Sequence, residues 1–293
     1  MTMPVELQTF APPMTPRQLV QQGAVVLERA GIARPRREAG WLLASLLHVA
    51  PTWLAVSDDI VTADAAKQFR QLVAVRAAHQ PLQYLLGSAF FLGLEFEVTP
   101  ATLVPRPETE LLVEAAAHLL GGRPSLAVDL GTGSGCVAIG LTHLVSACRM
   151  VAVDSSLEAL QVAGRNARRH GVAERVVFVL GDWDEALRGT PACDLVLSNP
   201  PYIPTDELTS LPLDVQQEPR AALDGGPDGL RFHRRLLSGG RRLLRAGGWL
   251  VMELGAGQAD GASSTLRQAG GWTAPRFIHD HQGIARVLMT SKS

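Results

Sequence analysis

Cysteine is scarce in this chain: Cys136, Cys148 and Cys193 are the only three in 293 residues, and none forms a CxxC pair. Each sits within or beside an apolar run, so neither a zinc ribbon nor a disulfide framework is expected. A reducing, cytoplasmic setting fits that usage. Long hydrophobic runs are missing too: no window reaches ~18 consecutive apolar residues, so no membrane span is expected. From Met1 to Pro16 there are prolines but no charged region leading into an apolar core, so a signal peptide is not expected. Excess charge of either sign is lacking, with Lys+Arg 27 against Asp+Glu 28 and a net charge of −1. Surfaces that bind nucleic acid over a broad face are usually basic, so no stable nucleic-acid partner is expected. Local basic patches remain at Arg34-Pro35-Arg36-Arg37 and at Arg241-Arg242 with Arg245. The 8 histidines are scattered without metal spacing, and no metal site is expected. Internal repeats and low-complexity segments are absent.

What is present is an ordinary folded composition, 46% apolar and 19% charged. The length suggests two domains at ~150 residues each. Residues 1–14 read as a loose tail. Thr15-Pro16-Arg17-Gln18 then has a capping Thr, Pro at the first helical position and Gln three residues after the cap. Leu19, Val20, Val26 and Leu27 form one apolar stripe of that helix, which Gly31 ends. Pro35 opens a second helix carrying Trp41, Leu42, Leu43, Leu46 and Leu47, stopped by Pro51. Thr52 caps a short turn, and Thr62 to His79 is a third long helix with Phe69, Leu72 and Val73. Residues 1–80 are thus a small helical domain without a chemistry-bearing cluster.

The period changes at Pro81. Tyr84 to Phe91 and Leu94 to Val98, separated by Gly93, read as a β-hairpin linker over 81–107. A helix follows through Leu120. From Ser125 strands and helices alternate, with strands at Leu126–Leu130, Met150–Asp154, Val176–Leu180, Asp194–Ser198 and Trp249–Leu254. Helices are expected at Val137–Leu144, Leu157–His170, Gly229–Leu244 and Gln258–Gln268, and the tail reads as a closing strand pair. Nearly continuous apolar strands imply a parallel sheet covered on both faces, an α/β domain over 108–293.

The first strand of that domain ends in Asp129 and runs into Gly131-Thr132-Gly133-Ser134-Gly135. Glycines there allow positive φ and leave no Cβ between backbone and ligand. Gly133-x-Gly135-x-x-Ala138, with Asp154 about 20 residues on, satisfies a dinucleotide fingerprint, so a nicotinamide dehydrogenase is one reading. An S-adenosylmethionine-dependent methyltransferase is another, favoured by the additional Gly131 directly after the strand. Gly181-Asp182-Trp183 places an acid and an indole at a later strand end, where open α/β sheets bind ligands. Asp182 suits an adenine amino group and Trp183 its ring.

Asn199-Pro200-Pro201-Tyr202 closes the fourth strand. Two prolines remove two backbone donors and stiffen the chain. The Asn199 side-chain oxygen and the Pro200 carbonyl can then face outward as paired acceptors for a planar NH2 group, with Tyr202 stacking on its plane. A plain Pro-rich turn accounts for the prolines but not for the flanking Asn and Tyr.

Together these segments resemble class I methyltransferases that modify planar amino groups, and within them the HemK/PrmC family of protein-glutamine N5-methyltransferases. Further matching segments are Pro81-Leu-x-Tyr-x-x-Gly87, Phe90-Phe91, Leu103-Val-Pro-Arg106-Pro-Glu-Thr-Glu110, Glu218-Pro-Arg-Ala-Ala-Leu223, Gly226-x-Asp228-Gly229-Leu230 and Asp280-x-x-Gly283-x-x-Arg286-Val287. The resemblance implies a Rossmann-like, mostly parallel seven-stranded sheet, S-adenosyl-L-methionine as cofactor, and class 1 peptide chain release factors as substrate and partner of a monomer. Cofactor contacts are implied for Asp129, Gly131, Thr132, Gly133, Ser134, Gly135, Asp154, Asp182, Trp183 and Asn199. Asn199, Pro200, Pro201 and Tyr202 are implied to be catalytic and to meet the substrate, with Phe91 and Arg106 as further substrate contacts. The helical domain is implied to grip the release factor. Alternatives are glutamine methylation of a large-subunit ribosomal protein, DNA adenine methylation, and a non-enzymatic binding module. Cys136 reads as a packing residue, Arg36-Arg37 as a solvated helix face, and Asp206 to Gly229 as a mobile substrate loop.

Overall fold

A computed structural model of the chain describes residues 14–187 and 192–293. The tail expected over 1–14 lies, but for Met14, outside the described residues. The chain divides into two compact units, one up to Leu86 and one from Gly87 to Ser293.

The first unit is helical: α1 (Pro16–Arg29), α2 (Pro35–Leu47), α3 (Trp53–Val56), α4 (Ala63–Ala77) and α5 (Leu82–Leu86). The capping box at Thr15 forms as its residues dictate, with Gln18 Oε1 accepting the Thr15 N–H at 2.9 Å. Thr62 caps α4 through its hydroxyl, whereas Thr52 makes no side-chain cap. The buried stripe of α1 runs through Leu19, Gly23, Ala24 and Leu27, and Val26 is exposed rather than inside. Gly23 shifts the stripe: a Cβ there would lie 2.8 Å from the ring of Phe69, so its bare backbone lets α4 pack closely. Tyr84 to Leu86, expected as strand, belong to α5. Leu82, Leu85 and Leu86 join the helical core, and a short apolar run fits either period.

Arg76 of α4 is buried and holds Glu38 of α2 at 2.6 Å, with the Gln80 carbonyl accepting a second bond at 3.0 Å. Two long helices are thereby locked together by charge inside an otherwise apolar core.

In the second unit, β1 (Ser88–Phe91) and β2 (Leu94–Glu97) form an antiparallel hairpin. Its turn residues Leu92 and Gly93 both have positive φ, the geometry a two-residue turn needs to match strand twist. After α6 (Glu108–Leu120) come β3 (Ser125–Leu130), α7 (Cys136–Leu144), β4 (Cys148–Asp154), α8 (Leu157–Arg169), β5 (Val176–Leu180) and β6 (Cys193–Ser198). The stretch expected as one helix from Gly229 to Leu244 is broken into α9 (Arg231–Arg235), a π turn over Leu236–Gly240 and α10 (Arg241–Leu243). The break falls where Gly239 passes the buried carboxylate of Asp184, to which Arg235 and Arg242 both donate. Then follow β7 (Leu244–Glu253), α11 (Ala259–Ala269), β8 (Arg276–His279) and β9 (Ala285–Ser291).

The seven strands order as β5-β4-β3-β6-β7-β9-β8, parallel except where β9 runs antiparallel to β7 and β8. Alternate residues feed two cores. Ala127, Leu195, Leu197 and Val251 face the hairpin, α6 and α7, while Val128, Val196, Leu250 and Met252 face the α9–α11 side. Among the described residues no helix is long and apolar enough to cross a membrane.

Replacing Glu38 by Ala removes the buried Arg76–Glu38 ion pair that joins α2 to α4. Thermal denaturation should show a loss of about 1.5–3 kcal/mol, the range for one hydrogen bond between charged groups, with Glu38→Gln losing less. An unchanged midpoint for Glu38→Ala would contradict the lock.

Candidate active site

The sheet changes direction of winding between β3 and β6: the chain goes from β3 outward to β4 and β5, then returns to β6 and continues the other way. Loops leaving these two strands diverge and open a crevice at their C-terminal ends. Ser198, at the end of β6, donates to the Leu130 carbonyl at 2.6 Å and fixes the two strand ends side by side. A cleft of about 550 Å³ lies there, lined by Gly131, Gly133, Asp154, Asp182, Trp183 and Asn199 among others.

The three loop glycines divide their work. Gly131 and Gly133, both with positive φ, line the cleft, and a Cβ on Gly133 would meet nothing within 4 Å. Gly135 faces the interior instead. A Cβ there would lie 2.9 Å from Ile139 and 3.0 Å from the Ala163 Cβ, so it serves the packing of α7 on α8. Thr132 and Ser134, expected as cofactor contacts, also turn inward and are buried. The Thr132 hydroxyl donates to Asp129 at 2.6 Å, and the Ser134 carbonyl accepts from Asn166 Nδ2 at 2.9 Å. Alternation along the loop gives glycine backbone to the cleft and side chains to the core.

Asn166 was not singled out by its sequence. Its carboxamide is fully satisfied, accepting from the Glu97 N–H at 2.8 Å and donating to the Glu97 carbonyl at 3.0 Å besides the Ser134 bond. It thereby ties the glycine loop to the hairpin. A polar residue on the buried face of α8, between Ala163 and Ala167, is the signal that marks it.

Asp129 is 1% exposed and its Oδ1 has no hydrogen-bond partner among the described residues. Burial pushes its carboxyl up to about 7; the Thr132 hydroxyl pulls the other way and the Asp154 charge adds to the rise. Asp154, ending β4, accepts the Gly133 N–H at 2.8 Å through one oxygen and the Ser156 N–H at 2.9 Å through the other. Each oxygen keeps a further acceptor site, and Asp154 lines the cleft. Trp183 holds positive φ and stacks on Phe232, with ring centroids 4.7 Å apart. The edge of its indole lies 3.8 Å from where a Gly131 Cβ would stand. Asp182 is largely exposed and pairs with Arg235 at 2.9 Å.

A second cavity of about 210 Å³ adjoins this one and shares Leu103, Asn199 and Ala222 with it; Arg106 and Tyr202 line it as well. Asn199 stands where the two meet. Its Nδ2 donates to the Thr109 hydroxyl at 3.0 Å, which leaves Oδ1 free to accept. Pro201 lines the cleft and Pro200 is buried beside it. The Tyr202 carbonyl accepts from Gln258 Nε2 at 2.8 Å, and Gly225, Gly229 and Gly255 crowd its backbone and ring so closely that a Cβ at any of them would clash. Burial raises the Tyr202 phenol, as does the neighbouring Glu253 carboxyl.

Arg106 reaches the second cavity already paired with Glu218, which also accepts the Val104 N–H at 2.9 Å. Glu218 is 5% exposed, so the segment expected as a mobile loop is clasped over the cavity from inside. Asp224 pins it further by accepting from the Thr205 hydroxyl at 2.7 Å. Phe91 does not join the site. It is 1% exposed, packs edge-on against Phe96 and fits over Gly140, while Phe90 is the ring that faces out. The hairpin pleat put the other face of the pair outward. The Cys136 thiol, pushed up to about 12 by burial, is a packing group.

Comparison with known proteins places these features. A family model described as the PrmC N-terminal domain matches residues 18–87, and one described as a methyltransferase small domain matches residues 107–213. The catalytic domain of hMettl16, solved with a MAT2A 3'UTR hairpin, shares the fold at a TM-score of 0.56 and 18% identity, covering 74% of this chain and 81% of that one. A methyltransferase from Pyrococcus furiosus does so at a TM-score of 0.50 and 20% identity, covering 69% and 91%. The Rossmann-like methyltransferase fold is therefore established for the second unit. Proteins named release factor glutamine methyltransferase are much more similar. That of Moorella thermoacetica is 42% identical over 94% of this chain and 98% of its own length, and that of Geobacter sulfurreducens 40% over 89% and 91%. Similarity at that level, continuous across both units, makes this chain a member of the release factor glutamine methyltransferase family.

Proposed function

We propose that the protein transfers a methyl group from S-adenosyl-L-methionine to the side-chain amide nitrogen, N5, of the glutamine in the Gly-Gly-Gln motif of class 1 peptide chain release factors. The observation that carries this reading is the meeting of a large and a small cavity at Asn199, whose acceptor oxygen is left unengaged. The residues of the larger cleft fit the cofactor: bare glycine backbone at Gly131 and Gly133, spare carboxylate lone pairs at Asp154, and the Trp183 indole. When bound, that cofactor supplies an electrophilic methyl group on sulfur. The smaller cavity suits a side-chain carboxamide.

An amide nitrogen is a poor nucleophile because its lone pair is delocalised into the carbonyl. Asn199 Oδ1 and the Pro200 carbonyl accept its two hydrogens, favour pyramidalisation and stabilise positive charge as it builds. Rigid Pro-Pro backbone and the packed Tyr202 hold these acceptors in place, so orientation supplies much of the remaining rate. A separate general base is not required, since the methylated cation sheds its proton readily. Glu218 and Arg106 keep the covering segment closed and water out. One chain forms both cavities, so the reaction needs no second copy.

The first unit, with its match to the PrmC N-terminal domain, is assigned the grip on the release factor in the cytoplasm. Names of the relatives favour a release factor over the ribosomal protein, and the near-neutral net charge argues against DNA.

Mass spectrometry of a purified release factor incubated with this protein and the cofactor tests the proposal. One methyl should appear on the Gly-Gly-Gln glutamine, and Asn199→Ala should slow it by about 10²–10³-fold, as for the loss of one preorganised polar contact. Label on a ribosomal protein or DNA instead would overturn the substrate.

The glycine loop gives a second test. Gly133→Ala should cost only about 1 kcal/mol of stability for its positive φ but weaken S-adenosylhomocysteine binding at least tenfold in calorimetry. Gly135→Ala should lose roughly 2–4 kcal/mol by strain and overpacking. Equal effects on both measurements would contradict the division.

A further inference from the structure

Gripping a substrate NH2 group requires that Asn199 present oxygen rather than nitrogen. A carboxamide turned over about its last torsion has almost the same shape, so packing alone does not choose between the two orientations. The turned form would set donor against donor. A partner must therefore hold Nδ2.

That partner is the Thr109 hydroxyl, 3.0 Å from Nδ2. Thr109 lies in the first turn of α6 and is 2% exposed, so no water competes for it. By itself a hydroxyl does not settle the matter, because it can donate to Oδ1 as well as accept from Nδ2. Its hydrogen has to be committed elsewhere. Behind it stands Glu253, the last residue of β7, 1% exposed, with the hydroxyls of Thr109 and Tyr202 beside its carboxyl. Glu253 Oε2 has no hydrogen-bond partner among the described residues. The Thr109 and Tyr202 hydroxyls both favour the charged form of this carboxyl, the direction expected when the Thr109 hydroxyl gives its hydrogen to the carboxylate. With that hydrogen given to Glu253, the Thr109 oxygen can only accept, and Asn199 can only offer Nδ2 to it.

We infer that Thr109, backed by the buried carboxyl of Glu253, is a positioning residue that fixes the Asn199 carboxamide with Oδ1 toward the substrate and so selects a glutamine amide over a carboxylate. The selection follows because a turned Asn199 would offer N–H to the pocket and suit the acceptor oxygens of glutamate. This rests on the glutamine-amide reading of the site.

The test compares the full-length protein with Thr109→Val, which removes the hydroxyl at nearly constant volume, and Thr109→Ser, which keeps it. Methylation of the release factor gives kcat and the cofactor KM. Calorimetry with two release-factor loop peptides, one carrying glutamine and one glutamate at the target position, gives discrimination. Thr109→Val should lower kcat about tenfold, the effect of one oriented hydrogen bond, leave the cofactor KM unchanged and narrow the preference for the glutamine peptide. Thr109→Ser should restore both. Thermal melting and S-adenosylhomocysteine binding report whether Thr109→Val is folded; if it is not, Thr109→Ala takes its place against the same Ser control. Full kcat and undiminished discrimination without the hydroxyl would overturn the inference. Failure of the unaltered protein to methylate any glutamine would overturn the functional reading instead, which keeps the two apart.

Discussion

The constraint on which the second unit depends is the reversal of winding between β3 and β6. Because the chain departs from these neighbours in opposite directions, a crevice opens at their C-terminal ends. Two loops with unusual composition occupy that gap. Two glycines after β3, Gly131 and Gly133, bring backbone to the crevice, and two prolines after β6 hold a carboxamide over it. The Ser198 bond to the Leu130 carbonyl keeps the ends level, so the two loops meet at one point rather than facing each other across a slot. The large and small cavities join there.

Buried polar groups then give this opening its shape. Asn166 ties the glycine loop to the hairpin through three hydrogen bonds, and Glu218 ties the covering segment to Val104 and Arg106. Asp129 and Glu253 are buried so deeply that their carboxyls rise to about 7, and each leaves an oxygen without a hydrogen-bond partner among the described residues. Burying such groups costs free energy that a purely structural core would avoid. They stand instead beneath the strand ends where polar neighbours need a fixed orientation.

Much of this was legible in the residues. Strand runs ending in acid, the alternating glycines and the Asn-Pro-Pro-Tyr stretch named the architecture and the place of the site, because each depends on local backbone chemistry. What escaped depended on partners remote in sequence. Spacing does not tell which of Gly131, Gly133 and Gly135 serves the cleft, since only Ile139 and Ala163 make the last a packing glycine. Phe90 and Phe91 alternate faces, and choosing the outward one requires knowing that the hairpin lies over Gly140. The role of Thr109, at the start of α6, depends on Asn199 coming to it from the end of β6. The break in the expected helix over Gly229 to Leu244 follows from Asp184, some fifty residues earlier, and no local propensity announces it.

The central claim is that one ligand occupies each cavity and that the two meet at Asn199, which grips the amide. A bisubstrate compound, with the adenosyl group of the cofactor joined to a glutamine side-chain nitrogen, tests it directly by titration calorimetry. Binding much tighter than that of S-adenosylhomocysteine, with most of the gain lost in Asn199→Ala, is the result this account predicts. A bisubstrate no tighter than S-adenosylhomocysteine, or one whose gain survives the loss of Asn199, would contradict it.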